Sequence, residues 1–314
     1  MTKILIDTDP GIDDAMAIHL AFAHPEIELV GLTSVFGNVH VEKATRNALR
    51  LVEQTGADCP VAAGAGAPLV QPLQPPAYFV HGPEGFGDVP AQEPAQSPDP
   101  RTAAQFIVDT INAHPGEITL CPVGPLTNIA HALRLDPTIT ESVHRVVIMG
   151  GAVDCRGNVT KWAEANIWND PHAADEVFAA DWPMLLIGLD VTEKSRCTPQ
   201  DFADLAQSAP EIGGFLNDAV GFYFEWHRQK NVFDGCFLHD PSAVLACVDP
   251  GLFTTKQIAM RVITEGEQIG RTISAPDSGR RPIAAAIDVD SERVQKLFLA
   301  HLGAADACRA ARIR

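Results

Sequence analysis

Four aspartates fall within eight residues near the start of the chain: Asp7, Asp9, Asp13 and Asp14. The run Ile4-Leu5-Ile6 ending at Asp7 reads as a buried strand. Pro10-Gly11 reads as a turn, and Ile12, Met16 and Leu20 share one face of a helix opened by Asp13 and Asp14. In open parallel sheets the ligand crevice lies at the carboxyl ends of the strands. Carboxylates crowded there repel one another unless a cation neutralises them. All-oxygen donors favour a hard cation, calcium or magnesium. An acidic residue also suits a helix N-terminus, but one cap needs one residue, and four exceed that need.

Further groups with chemical capacity follow. Asp-Pro occurs six times and by itself marks only helix starts. Asp240-Pro241 differs because His239 precedes it, placing a titratable imidazole beside a carboxylate. Asn158, Glu164 and Asn166 come after the strand end Met149-Gly150-Gly151. Such amides and carboxylates suit sugar hydroxyls, and a solvated loop is the plain alternative. In Pro122-Val123-Gly124-Pro125-Leu126-Thr127-Asn128, a strand-to-helix turn frees a carbonyl that can ligate a hard cation. Tyr223 and His227 stand four apart on one helical face, with Trp226 between them in sequence.

The elements that must position these groups are an alternation of strands and helices. Strand patterns cover 3–7, 29–35, 118–121, 145–149 and 184–189, and helix patterns cover 14–23, 41–55, 103–113, 127–135 and 172–179. This implies βαβ units, an α/β fold with an open, mostly parallel central sheet flanked by helices. Helical patterns at 199–206, 212–228 and 241–247 precede late strand-like runs at 257–263, 269–274 and 283–287. No linker divides the chain, so residues 1–314 read as a single domain. Residues 71–100 are rich in proline and contain His81-Gly82-Pro83-Glu84-Gly85-Phe86-Gly87. They are expected to form an irregular active-site lid, with His81 and Phe86 within reach of a ligand.

The 314 residues are 46% hydrophobic and carry a net charge of −17. That charge disfavours nucleic acid, anionic membranes and polyanionic substrates as partners, and leaves a neutral or cationic small molecule. Seven cysteines without a Cys-x-x-Cys pair read as buried, reduced residues rather than disulfides or a zinc site. Met1-Thr2-Lys3 runs directly into the first strand, and no apolar run has the length of a membrane span. A cytoplasmic protein is expected.

Together these motifs resemble, in order and along nearly the whole chain, the calcium-dependent nucleoside N-ribohydrolases. The resemblance rests on Asp7-Thr8-Asp9-Pro10-Gly11-Ile12-Asp13-Asp14, Phe36-Gly37-Asn38, His81-Gly82, Pro122 to Asn128, Met149-Gly150-Gly151, Ala163-Glu164-Ala165-Asn166 and His239-Asp240-Pro241. It implies cleavage of ribonucleosides to ribose and free base through an oxocarbenium-like state, in a homotetramer or homodimer serving nucleobase salvage. It makes Asp9, Asp14, Asp240 and the Val123 carbonyl calcium ligands, with Asp9 also the base for the attacking water. It gives Asp13, Asn38 and Asn166 the lower ribose hydroxyls or the water, and Asn158 and Glu164 the 5′-hydroxyl. Met149 lies against the sugar, and His81 and His239 lie by the nucleobase. The proton for the leaving base would come from His239 or His227. At the position of His227 the family carries a tyrosine, while Tyr223 is kept one turn earlier. Pyrimidine, purine and broad base preference all stay open.

Two other readings compete. Asp7-Thr8-Asp9 also fits the Asp-x-Asp strand end of haloacid-dehalogenase-like phosphatases, which would make Asp7 a nucleophile beside magnesium. A calcium-dependent nucleoside-binding protein without turnover would keep the same pocket.

Overall fold

The computed structural model describes residues 1–230 and 232–313. Among the described residues twelve strands form: β1 (Thr2–Thr8), β2 (Ile27–Ser34), β3 (Val61–Ala63), β4 (Ile118–Pro122), β5 (Arg145–Met149), β6 (Met184–Ile187), β7 (Arg196–Cys197), β8 (Cys236–Phe237), β9 (Phe253–Ile258), β10 (Met260–Val262), β11 (Thr272–Ser274) and β12 (Ile283–Val289). Eight of them make one sheet in the order β3-β2-β1-β4-β5-β6-β12-β9. Every pairing in it is parallel except β12 with β9.

Alternation along each strand explains the layering. In β1, Ile4 and Ile6 enter one apolar core while Leu5 enters the other. In β5, Val147 and Met149 face the first core, and Val146 and Ile148 the second. A sheet apolar on both faces must be covered by helices on both. Helix Ile12–Ala23 is buried along its whole length, and helix His239–Val248 packs against it. The chain runs outward from β1 through β2 to β3 and then returns to place β4 on the other side of β1. That reversal opens a crevice at the carboxyl ends of β1 and β4.

The expected helices at 41–55, 103–113 and 127–135 form with those bounds. Three expectations need correction. The run at 184–189 stops at Ile187, because the chain turns into helix Leu189–Thr192. The run at 257–263 divides at Ala259, because β9 pairs with β12 and β10 with β11 in a separate ribbon. Residues 71–100 are not irregular throughout, since Tyr78–His81 forms a helical turn. That segment is also anchored. Glu84 pairs with Lys43 at 2.9 Å and Arg46 at 2.7 Å, and Asn47 donates to the Glu84 carbonyl at 2.8 Å. Gly82 has φ 75°, and a Cβ there would meet the Gly87 carbonyl oxygen at 2.3 Å. The turn is therefore available only to glycine. No helix among the described residues is long and apolar enough to cross a membrane.

Phe86, expected within reach of a ligand, does not line the cleft and is instead the apolar anchor of this segment, 1% exposed and edge-on to Phe215 at 5.3 Å, because its ring packs into the core. Phe86→Ala is expected to destabilise the protein by about 3–5 kcal/mol in denaturant unfolding. A loss below about 1 kcal/mol would show that the segment is not part of the core.

Candidate active site

At and beyond the end of β1, the aspartates divide into different roles. Asp7 is buried and belongs to the framework. Its Oδ1 accepts from Thr33 Oγ1 at 2.5 Å and Asn128 Nδ2 at 2.7 Å, tying β1 to β2 and to helix Thr127–Leu135. Asn128 also donates to the Ser34 carbonyl and accepts from the Ala65 amide. Burial pushes the Asp7 carboxyl up to about 7, against the pull of the Thr33 and Asn128 bonds. A phosphatase nucleophile would have to face the cleft, and Asp7 does not line it.

Asp14 sits at the third position of its helix and is held on both oxygens. Thr8 Oγ1 donates to Oδ1 at 2.5 Å, while the Gly11 amide and Asn38 Nδ2 donate to Oδ2 at 2.9 and 3.0 Å. Asp9 Oδ2 accepts from the Asn38 amide at 2.7 Å. Its Oδ1 is buried without a partner among the described residues, as is Asp13 Oδ1. Gly37 and Gly124 let the backbone close around Asp9, for a Cβ would lie 2.0 Å from its Oδ2 at Gly37 and 2.7 Å from its Oδ1 at Gly124.

Asp240 reaches the same place from the start of helix His239–Val248. One carboxylate oxygen each of Asp13, Asp14 and Asp240 lies within 4.8 Å of the others. This close triad contains Asp13 where the resemblance had placed Asp9. Burial raises all of these carboxyls, and repulsion from neighbouring carboxylates adds to it at Asp9, Asp14 and Asp240. Asp13 and Asp14 are pushed up to about 6, and Asp9 and Asp240 lie well above the usual range. Orphaned buried oxygens among mutually repelling carboxylates are what a hard cation would complete, so the donor set fits one.

Above the acidic floor opens a cleft of about 760 Å³. It is lined by Asp13, Asn38, His81, Val123, Met149, Asn158, Glu164, Asn166, Tyr223, His227, His239 and Asp240, while Asp9 and Asp14 are buried behind this lining. Asn166 Nδ2 donates to the carbonyls of Val123 and Met149 at 2.8 and 3.2 Å. Glu164 caps the helix Ala165–Asn169, accepting from the amides of Asn166, Gly151 and Ile167. Burial raises its carboxyl. The Asn158 side-chain Oδ1 accepts from the Ala165 amide at 3.0 Å, which leaves its Nδ2 outside that bond.

The opposite wall is aromatic. Tyr223 lies between His81 and His227, with ring centroids 5.8 and 4.5 Å away. His239 Nδ1 shares a hydrogen bond with Thr192 Oγ1 at 2.8 Å. Burial pulls His81 and His227 down to about 4 and His239 to about 3, so all three imidazoles are neutral near pH 7. Sequence reasoning missed Phe79, Val159, Glu193, Arg196, Lys230, Val232 and Phe237, which also line the cleft. Lys230 was within reach, four residues beyond Trp226 and capping the helix that bears Tyr223 and His227. Arg196 and Phe237 come from β7 and β8, two-residue strands paired only through the fold.

The chain matches the family model of the inosine-uridine preferring nucleoside hydrolases over residues 4–296. Uridine nucleosidase 1 of Arabidopsis thaliana is 41% identical over 311 residues, covering 96% of this chain and 93% of that protein. The inosine-uridine preferring nucleoside hydrolase of Leishmania major is 38% identical over 297 residues, covering 92% of this chain and 94% of that protein. Among solved structures, a plant nucleoside hydrolase superposes with a TM-score of 0.93 at 39% identity, covering 96% of this chain and 99% of its own. A purine-preferring ribonucleoside hydrolase from Gardnerella vaginalis gives 0.94 at 35% identity, covering 98% of this chain and 100% of its own. A match of this extent, over the same motifs that build the acidic floor and the cleft above it, makes the chain a nucleoside hydrolase of the inosine-uridine preferring family.

Proposed function

We propose that the chain hydrolyses the N-glycosidic bond of ribonucleosides, uridine foremost, with calcium held at the acidic floor. The observation that carries this reading is the pair of partnerless buried oxygens, Asp9 Oδ1 and Asp13 Oδ1, in the acidic cluster at the foot of the cleft. Uridine is favoured because relatives at 40–41% identity bear the names uridine nucleosidase and probable uridine nucleosidase. Asp9, Asp14, Asp240 and the Val123 carbonyl would hold the cation, and the closeness of Asp13 to Asp14 and Asp240 supports adding it to the set. Bound there, the cation would acidify the attacking water and orient the ribose diol.

The chain's own groups account for the rest. Asp9, with one oxygen fixed by the Asn38 amide and the other free, is placed to take the proton of the attacking water. Asn38, Asn166 and Asp13 serve the lower ribose hydroxyls, Asn158 and Glu164 the 5′-hydroxyl, and Met149 packs on the sugar. The surrounding carboxylates favour positive charge growing on the ribose as the bond breaks. On the base side, His81 Nδ1 accepts from the Ile12 amide at 3.2 Å, so its remaining nitrogen, Nε2, carries the proton. His81 can therefore donate a hydrogen bond to the leaving base, and His239 stands beside it. The 71–100 segment forms the rim above them. Assembly as a homotetramer or homodimer and a role in salvage in the cytoplasm belong to the same proposal.

The direct test is release of reducing sugar from uridine, with calcium and after chelation. Release that survives chelation would overturn the metal role, and ligand binding without any release would favour the non-catalytic binding protein. Asp9→Asn should lower kcat by about 100- to 10,000-fold while calcium still raises the melting temperature. Asp240→Ala should weaken the calcium-induced stabilisation itself.

A pH dependence follows from the raised carboxyls. Their folded-state values exceed the unfolded ones, so the metal-free fold holds these protons more tightly and loses stability as pH rises from about 4 through about 6. Calcium binding displaces those protons. The rise in melting temperature on adding calcium should thus be larger at about pH 7.5 than at about pH 5.5. An equal rise at both values would place the cation elsewhere.

A further inference from the structure

His227 lies on helix Ile212–Gln229, 1% exposed and lining the cleft. Its Nδ1 is 3.0 Å from the Tyr223 carbonyl oxygen. A carbonyl only accepts, so Nδ1 carries the hydrogen. The ring is neutral, because burial draws its pKa down to about 4. Nε2 is then a bare acceptor, the reverse of His81, whose Nε2 carries the hydrogen. The surroundings suit a flat base. Tyr223, Trp226, Phe237 and Phe233 stand at 4.5, 4.9, 5.2 and 5.6 Å from the His227 ring. Arg196 rests on the same two phenylalanines, 4.8 Å from Phe233 and 5.3 Å from Phe237. Its Nε donates to the Glu193 carbonyl, and its terminal nitrogens have no partner among the described residues. One wall of the cleft thus offers an acceptor and a cationic donor on shared aromatic supports.

We propose that His227 Nε2 accepts the ring N–H of the nucleobase, with Arg196 donating to the adjacent carbonyl, so that the cleft selects lactam bases. Uracil, and among purines hypoxanthine, present that N–H beside a carbonyl. Cytosine and adenine present a ring lone pair instead, which would face the Nε2 lone pair. A site built to accept a hydrogen bond rejects a ligand that cannot supply it, because its own buried group is left unpaired. The proposal rests on the hydrolase reading and deepens it. It also assigns His227 as a specificity residue and takes it out of the candidates for proton donor, since a neutral ring in this tautomer has no proton to give at Nε2.

The test compares kcat/KM of the calcium-loaded enzyme on uridine and on 3-methyluridine, whose ring N–H is replaced by a methyl group. A ratio taken within one preparation is independent of how much of a variant folds. Wild type should favour uridine by roughly 10- to 100-fold. His227→Phe, about as wide but without an acceptor, should bring the ratio to within about threefold, and His227→Gln, whose carbonyl accepts, should restore it. A wild-type ratio near one overturns the proposal. A ratio unchanged in His227→Phe does the same, since it would mean the methyl group is rejected by its size. Absence of ribose release from either uridine or inosine would sink the hydrolase reading instead. Base recognition would then be read by calorimetry with free uracil and 3-methyluracil, where equal affinity overturns the role of His227.

Discussion

Carboxylates that share a dry site lose their hydration and repel one another, and neither cost is recovered by hydrogen bonds alone. Asp9, Asp13, Asp14 and Asp240 are all buried here, and burial is the largest cause of the rise in each. The fold around them is arranged to keep them together. Thr8, Gly11 and Asn38 fix Asp14, the Asn38 amide fixes one oxygen of Asp9, and Gly37 and Gly124 bring backbone where no side chain would fit. What these bonds leave over are single oxygens without partners. A cation would complete such a set, and the same negative field would favour an electron-poor sugar above it.

Around that floor the cleft offers two opposite environments. One side is built of carboxylates, amides and backbone carbonyls borrowed from the ends of β1, β4 and β5. The other side is aromatic, with the Arg196 guanidinium resting on Phe233 and Phe237. Its imidazoles are kept uncharged by burial and differ in where the hydrogen sits, because His81 faces a backbone amide and His227 a backbone carbonyl. Main-chain partners thus decide whether a histidine gives or takes a hydrogen bond, which the residue type alone leaves open.

Asp7 shows how far motif reading goes. It belongs to the same acidic run as the floor residues, yet it spends its oxygen on Thr33 and Asn128 and holds β1 to its neighbours. Glu164 is similar, since a helix cap consumes most of its acceptor capacity even as it lines the cleft. Neither division of labour follows from spacing along the chain.

Local pattern determined much of this protein. Apolar runs with period two and amphipathic runs with turn signals between them named the five long parallel strands and most helices, because those preferences act within a few residues. The Asp-rich turn after β1, the glycine turn after β5 and His239-Asp240 marked the site for the same reason: each motif is a strand end or a helix start in itself. The tertiary structure decided what requires distant segments to meet. β3, β7 and β8 are two or three residues long and exist only through partners far away in sequence. The closeness of Asp240 to Asp13 and Asp14, the aromatic supports of His227 from β8 and the placement of Arg196 arise the same way. These contacts form only once the sheet has closed the chain on itself, and no local preference records them.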